Sequence, residues 1–485
     1  MIESENTENS TTYDTGEGTW ITEIYAQDIR FMNEEGVLVD YDPSLIEIEN
    51  PISSLGNSLE NYEYENKAGD KKQYFPEVLS QETPVLMEHG EKQLRFAPIE
   101  MAAEAVSETE NGIEADVTEQ KGQIYLETVQ DIYTEESLQA VKVAYPSVKE
   151  GMSYQYTSLD IGVREEIILS SIPEDNSYSF LLQIPGMTIR ENVLDEGMTI
   201  YKDDGIVAMV QAPYMNDASG KAYSEAVTST LEVVDETTGI YRITLSAEEE
   251  YFNSETLNYP VAIASDFIWQ EEENIEDQYV LSDYSDHNYY DTGITSFYVG
   301  KGAQGVSRAY FWFNNLDRFS KDYIKKAELV LTECSNSLAG KTVHAYRITS
   351  DWDQTELCWN NQPAFDGTAV GQLTTKGGFK TSTINLRKLF QDYVNGTYSN
   401  FGIVLRNSNE ASNSYFTSFF GVRHATKDYR PKLTVEHYER PTTPTQVSLE
   451  KSCIKADEKA KLTWKWITAP DLDYIQYRVV EFDEK

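Results

Sequence analysis

Cysteine and histidine are scarce in this chain: 3 cysteines and 5 histidines among 485 residues. Three cysteines cannot make a disulfide framework, so folding has to rest on packing. Cys334 and Cys358 could pair, but free thiols fit the low count better. The five histidines (His89, His287, His344, His424, His437) are never spaced as metal ligands, and each reads as structural. No run approaches the ~18 consecutive apolar residues of a membrane span. The opening Met1-Ile2-Glu3-Ser4-Glu5 is acidic and is not a signal peptide. The usual catalytic signatures are missing too: no Gly-x-Ser-x-Gly elbow, no P-loop, no His-Glu-x-x-His and no Gly-x-Gly-x-x-Gly. These absences point away from an enzyme.

Basic charge is the other thing in short supply. The chain carries 39 Lys and Arg against 82 Asp and Glu, a net of -43. Residues 1–277 hold 14 basic and 58 acidic side chains, whereas residues 278–440 hold 18 and 16. A surface as negative as the first region repels phosphate backbones and anionic lipid, which excludes nucleic acid and membrane as expected partners there. The acidity reads as solubility for a secreted protein, with cation binding by some carboxylates as the sharper alternative.

What is present reads as strands. The chain is 40% hydrophobic and 12% aromatic, enough for several cores. Short β-prone runs such as Gln73-Tyr74-Phe75, Leu94-Arg95-Phe96, Tyr178-Ser179-Phe180-Leu181 and Tyr241-Arg242-Ile243 recur about every ten residues between turn residues. That pattern predicts an all-β protein of consecutive β-sandwich (jelly-roll or Ig-like) domains. Residues 1–18 read as a flexible tail. Residues 19–269 read as a β-rich region, either whole or as two sub-domains hinged near 101–120. Residues 270–277 (Gln-Glu-Glu-Glu-Asn-Ile-Glu-Asp) read as an acidic, extended linker. Residues 278–440 read as a second sandwich with one short helix, because Leu386, Leu389, Phe390 and Tyr393 lie at helical spacing between Asn385 and Gly396. Residues 441–485 read as a linker and the start of a further domain, cut short.

Two constellations are candidates for binding. The loop Asp283-Tyr284-Ser285-Asp286-His287-Asn288-Tyr289-Tyr290-Asp291 offers Asp283, Asp286 and Asp291 as oxygen ligands for calcium, though without EF-hand spacing. In the same loop Tyr284, Tyr289 and Tyr290 are the tyrosines least easily assigned to a core, and so the candidates for a ligand surface.

The segment 278–438 also carries an ordered series of motifs. These include Trp352…Trp359-Asn360-Asn361-Gln362-Pro363, Asn400-Phe401-Gly402-Ile403-Val404-Leu405 and Arg430-Pro431-Lys432-Leu433-Thr434-Val435. In these it resembles the DNRLRE-type domain, a β-sandwich of bacterial surface and secreted proteins. Val163-Arg164-Glu165-Glu166-Ile167-Ile168-Leu169 and Ala212-Pro213-Tyr214-Met215-Asn216-Asp217 resemble the region that precedes that module in wall-associated, Rhs-repeat-type proteins. The tail from Pro441 resembles the start of a fibronectin type III domain. The resemblance implies an extracellular or cell-wall-associated segment for attachment or display, without catalytic residues. Its partners would be a cell-surface glycan or protein and downstream domains of a longer chain. The alternative it implies is a carbohydrate-binding module region attached to a polysaccharide-active enzyme.

Overall fold

The computed structural model describes residues 2–99, 123–130, 137–146, 151–192, 195–203, 205–270, 273–290, 295–320, 322–439, 445–449 and 461–465. Within them the protein is almost wholly antiparallel β, as the strand periodicity predicts. Two sandwiches account for most of it.

The first sandwich is built from residues 42–269. One sheet runs from strand Val227–Asp235 through Ile240–Ala247, Ser177–Gln183, Lys92–Pro98 and Val85–His89 to Asp42–Glu47 at the far edge. The facing sheet is centred on Gly162–Leu169 and Val261–Trp269. Their inner faces bury one continuous core that includes Phe75, Phe96, Tyr156, Phe180, Ile243, Phe267 and Trp269. A single core spanning residues 75–269 leaves one unit, not two hinged sub-domains; residues 101–120 themselves lie outside the described residues.

The second sandwich pairs a seven-stranded sheet with a five-stranded one. The seven-stranded sheet contains Ile275–Leu281, Ser296–Gly302, Gly305–Phe313, Thr342–Ile348, Phe365–Thr374, Ile403–Asn407 and Thr417–Phe420. The five-stranded sheet has the order Ser10–Asp14, Trp20–Tyr25, Lys432–Glu439, Asp322–Thr332, Thr381–Asn385. Its first two strands come from the chain's opening residues, which corrects the reading of 1–18 as a flexible tail. Ser10, Thr11 and Thr12 are buried. Trp20 through Tyr25 pair residue for residue with His437 back to Lys432. The boundary at residue 19 falls for the same reason: Ile24 and Ala26 belong to the second core, beside Phe311, Leu329 and Val435.

The helix expected near residue 386 is present as Arg387–Val394. Leu386, Leu389, Phe390 and Tyr393 are all buried, and the Asn385 side chain accepts the Arg387 N–H. Gly402 must be glycine. Its φ is 77°, and a Cβ there would lie 1.8 Å from the Phe311 carbonyl oxygen.

Of residues 270–277, those described are not a solvated linker. Glu273 is 8% exposed and pairs with Arg423 at 2.7 Å; Ile275 already belongs to a strand. Arg423 also donates to the Tyr290 carbonyl, while its own carbonyl accepts from Gln211 of the first sandwich. Ile161, Met209 and Ile268 of the first sandwich pack on Ala425 of the second. The two sandwiches therefore meet through a buried ion pair and an apolar cluster. Of residues 441–485, the hairpin Thr445–Leu449 with Leu462–Lys465 is described; the remainder of the fibronectin-like reading, Cys453 included, lies outside the described residues.

Candidate functional site

Alternation along the strands divides the seven-stranded sheet into two faces. Ala309, Phe311, Phe313, Val343, Ala345, Ile403 and Leu405 point into the core between the sheets. Their neighbours Tyr310, Ile348 and Val404 point outward and join Val280 and Leu357 in a separate apolar cluster. Six rings gather around that cluster: Tyr346, Trp352, Trp359 and Phe365 partly buried against it, with Phe401 and Trp312 beside them. The segment between strands Thr342–Ile348 and Phe365–Thr374 arches over this face and carries Trp352, Leu357, Trp359 and Gln362. Trp352 is fixed by its indole N–H, which donates to the Phe401 carbonyl at 2.9 Å.

Polar groups lock the same face. Glu410 accepts two hydrogen bonds from Arg308 (3.0 and 2.9 Å) and two from Arg406 (3.0 and 2.6 Å). Gln362 Oε1 accepts from Arg308 at 2.9 Å and from the Tyr310 hydroxyl at 2.7 Å. Burial pushes the Glu410 carboxyl up, but the hydrogen bonds from Arg406 and Arg308 outweigh it and hold the group below its usual range. The Arg308 guanidinium lies 4.8 Å from the Trp359 ring centre, and Arg406 lies 5.2 Å from that of Phe365. Next to them Arg347 lies 3.9 Å from the exposed Tyr398 ring while paired with Asp366. Half-buried rings alternating with oriented planar donors suit a ligand that is apolar on one face and hydroxylated at its edges, which describes a sugar ring.

Residues 269–436 match the model of carbohydrate-binding module family 96. That span ends within strand Lys432–Glu439 and contains every residue of the outer face just described. The chain is also 21% identical over 384 residues to the tRNA(Glu)-specific nuclease WapA of Bacillus subtilis subsp. natto (strain BEST195), covering 75% of this chain and 15% of that protein. The tRNA nuclease WapA of Bacillus subtilis (strain 168) and the tRNA3(Ser)-specific nuclease WapA of Bacillus spizizenii match at the same identity and coverage. The chain thus spans 15% of the length of these relatives. No helix among the described residues is long and apolar enough to cross a membrane.

The residues singled out in the loop 283–291 land in different places. Asp283, Tyr284 and Asp286 are exposed, and Tyr284 is 42% accessible. Asp283 accepts from Ser282, whereas Asp286 accepts from Asn360 of the arching segment. Among the described residues no three His, Cys, Asp or Glu side chains are grouped as a metal site; Asp291 lies outside them. Tyr289 is 1% exposed and stacks on Tyr279 at 4.5 Å, so it is core and not a ligand surface. Tyr290 is half-buried beneath the Arg423 guanidinium.

One arrangement escaped the sequence reading. Thr22 Oγ1 lies 2.8 Å from His437 Nε2, and His437 Nδ1 lies 2.6 Å from Asp322 Oδ2. The order hydroxyl–imidazole–carboxylate matches that of an acyl-transfer triad. Here, however, the Thr22 oxygen also bonds Thr12 at 2.9 Å, Thr22 is 1% exposed, and Phe319 and Trp20 pack on the imidazole. The two best-formed small cavities among the described residues, about 10 Å³ each, are lined by other residues. Thr22 is sealed from solvent, and the relay ties strand Trp20–Tyr25 to strand Asp322–Thr332.

Proposed function

We propose that this chain is a non-catalytic, surface-presented segment whose second sandwich holds a glycan on its outer face, serving attachment or display in a wall-associated Rhs-type protein. The observation that carries the reading is the gathering of six part-buried rings with the Arg308–Glu410–Arg406 network, inside the span that matches a carbohydrate-binding module. A pyranose would lie on Trp359 or on Tyr346 and Phe365. Its hydroxyls would meet Gln362, Glu410 and the guanidinium edges. Asp283, Tyr284 and Asp286 would form the rim on one side, where Asn360 already joins the two loops.

The excess of acid in residues 1–277 argues against nucleic acid as a partner of this segment. The nuclease activity named for the relatives is read as belonging to parts of those proteins that this chain does not span. The family match supports a second setting equally, in which the same module serves a polysaccharide-active enzyme.

Glycan-array binding by the purified chain tests the reading. Trp359→Ala and Tyr346→Ala should each lower retention at least tenfold while the thermal melt keeps its cooperativity. Retention unchanged in both variants would place the glycan elsewhere, and no retention on any glycan would sink the reading.

A further inference from the structure

The path of the chain through the five-stranded sheet has a mechanical consequence. Strand Ser10–Asp14 pairs antiparallel with Trp20–Tyr25, which pairs antiparallel with Lys432–Glu439. The first and third strands therefore run parallel, with the second between them. Ser10 is level with Ile24 and so with Leu433; Asp14 is level with Trp20 and so with His437. The chain enters the first strand at one end of the sheet and leaves the third at the opposite end. Everything between residues 26 and 431, the whole first sandwich included, is a loop hung from this trio.

We propose that these three strands form a shear clamp, which carries tension applied between the two ends of the chain past the first sandwich. Ladder hydrogen bonds lie perpendicular to antiparallel strands. A pull along the strands therefore loads all of them together, whereas a pull across an edge breaks them one at a time.

Side chains reinforce these pairings. Arg30 donates to the Ser10 carbonyl (2.9 Å) and the Thr11 hydroxyl (2.8 Å), and Arg318 donates to Ser10 Oγ (2.7 Å), so the edge strand is held from two sides. Lys432 pairs with Glu23 across the second seam at 2.7 Å, and Thr19 donates to Glu436 at 3.1 Å. The Thr12–Thr22–His437–Asp322 chain crosses four adjacent strands from the edge inward. That gives the sealed relay a purpose that catalysis does not. The short stretch ahead of Ser10, where the Ile2 N–H meets the Thr12 carbonyl, would peel first and then pass load to the clamp. The inference stands on strand order and is independent of what the outer face binds.

Single-molecule pulling of the full chain provides the test, with one handle at each end and, for comparison, one handle moved to the exposed turn at Glu174–Asp175. End-to-end loading should give one dominant rupture at about twofold the force of the displaced geometry, since forced rupture reads the unfolding barrier along the loaded path. The rupture should release residues 15–431, on the order of 1,400 Å of chain. A Glu23→Cys/Thr434→Cys pair joins residues that face each other across the second seam. Oxidised, it should abolish that release; reduced, it should restore it. Three results would overturn the proposal: equal forces in the two geometries, an earlier separate step from the first sandwich, or a release unaffected by the oxidised cross-link.

Discussion

The two sandwiches differ in charge balance and in where arginine meets their carboxylates. In the first sandwich, whose acid far outweighs its base, the buried Glu88, Glu165 and Asp217 bind neutral donors, while Asp266 is forked by Arg164 at 2.7 and 3.1 Å. Glu88, 0% exposed, takes the hydroxyls of Ser53 and Ser54, the Leu55 N–H and the Asn57 amide. Asp217 gathers Ser219, Lys221 N–H, Ala222 N–H and Asn258 in the same way. Those contacts overcome its burial and hold the carboxyl down at about 2. In residues 278–440, where the charges nearly balance, the partly exposed Glu410 and Asp366 are met by arginines. Glu333, the one fully buried carboxylate of that range among the described residues, is cradled by Ser382, Ser337 and the Lys376 and Gly377 N–H groups. Carboxylates ringed by neutral donors thus occur in both sandwiches, whereas the Arg308–Glu410–Arg406 network lies on the outer face of the second.

The junction is where this contrast is easiest to break. Arg423 is the cation that meets Glu273, with both side chains under 5% exposed. Arg423→Ala should cost about 3–5 kcal/mol, because it strands a buried carboxylate. A denaturant melt would read this directly, and a loss below about 1 kcal/mol would mean that water reaches the pair.

Acidity offers the next largest effect. Glu165 points into the first core, accepts from the Tyr156 hydroxyl at 2.7 Å and has no partner for its second oxygen. Burial raises its pKa from 4.5 to about 7, the tyrosine bond offsetting part of the rise. Asp277 is raised in the same direction by burial and by its neighbour Glu273, against the Val422 N–H and Arg423. A carboxyl whose pKa is higher folded than unfolded adds stability below its unfolded value and loses it as pH rises through the folded one. The chain should therefore be more stable near pH 5 than near pH 8. Glu165→Gln should remove about 3 kcal/mol of that slope. An unchanged pH profile in the variant would contradict the burial argument.

How much of this was legible in the sequence depended on how far each partner lay along the chain. The helix at Arg387–Val394 could be read because its four apolar residues sit within eight positions of each other. The strands could be read from local alternation. The Trp352 and Trp359 motif was visible as a packing signature, and its place over the outer face explains why those residue types recur there. Long-range partners were not visible. Ser10–Asp14 is polar and looks like a tail, yet it pairs with Trp20–Tyr25, which is itself anchored by a strand more than 400 residues away. The stretch 270–277 looks like a solvated linker until Arg423, 150 residues on, neutralises Glu273. Tyr289 sits among polar neighbours in sequence, yet its ring finds Tyr279 across a turn. The six rings of the outer face come from separate segments, and no single stretch announces them.

Smaller effects would sharpen the contrast. Glu88→Ala should cost about 2 kcal/mol by freeing the donors of the 53–57 turn. The loss should be local, seen as faster amide exchange at Leu55 and Asn57 with the second sandwich unaffected. Calcium should have the least effect. Asp283 and Asp286 are exposed and engaged with different partners, so excess calcium and chelator should give nearly the same melt. A clear rise with calcium would restore the loop 283–291 as a metal site.

The most direct measurement is a titration of the intact chain with an array-selected oligosaccharide, followed by tryptophan fluorescence, with mass spectrometry of the sugar afterwards. Saturable quenching that Trp359→Ala weakens at least tenfold, with the oligosaccharide recovered unaltered, is the predicted result. A shortened or modified sugar, or binding indifferent to Trp359 and Tyr346 alike, would contradict a non-catalytic glycan-holding face.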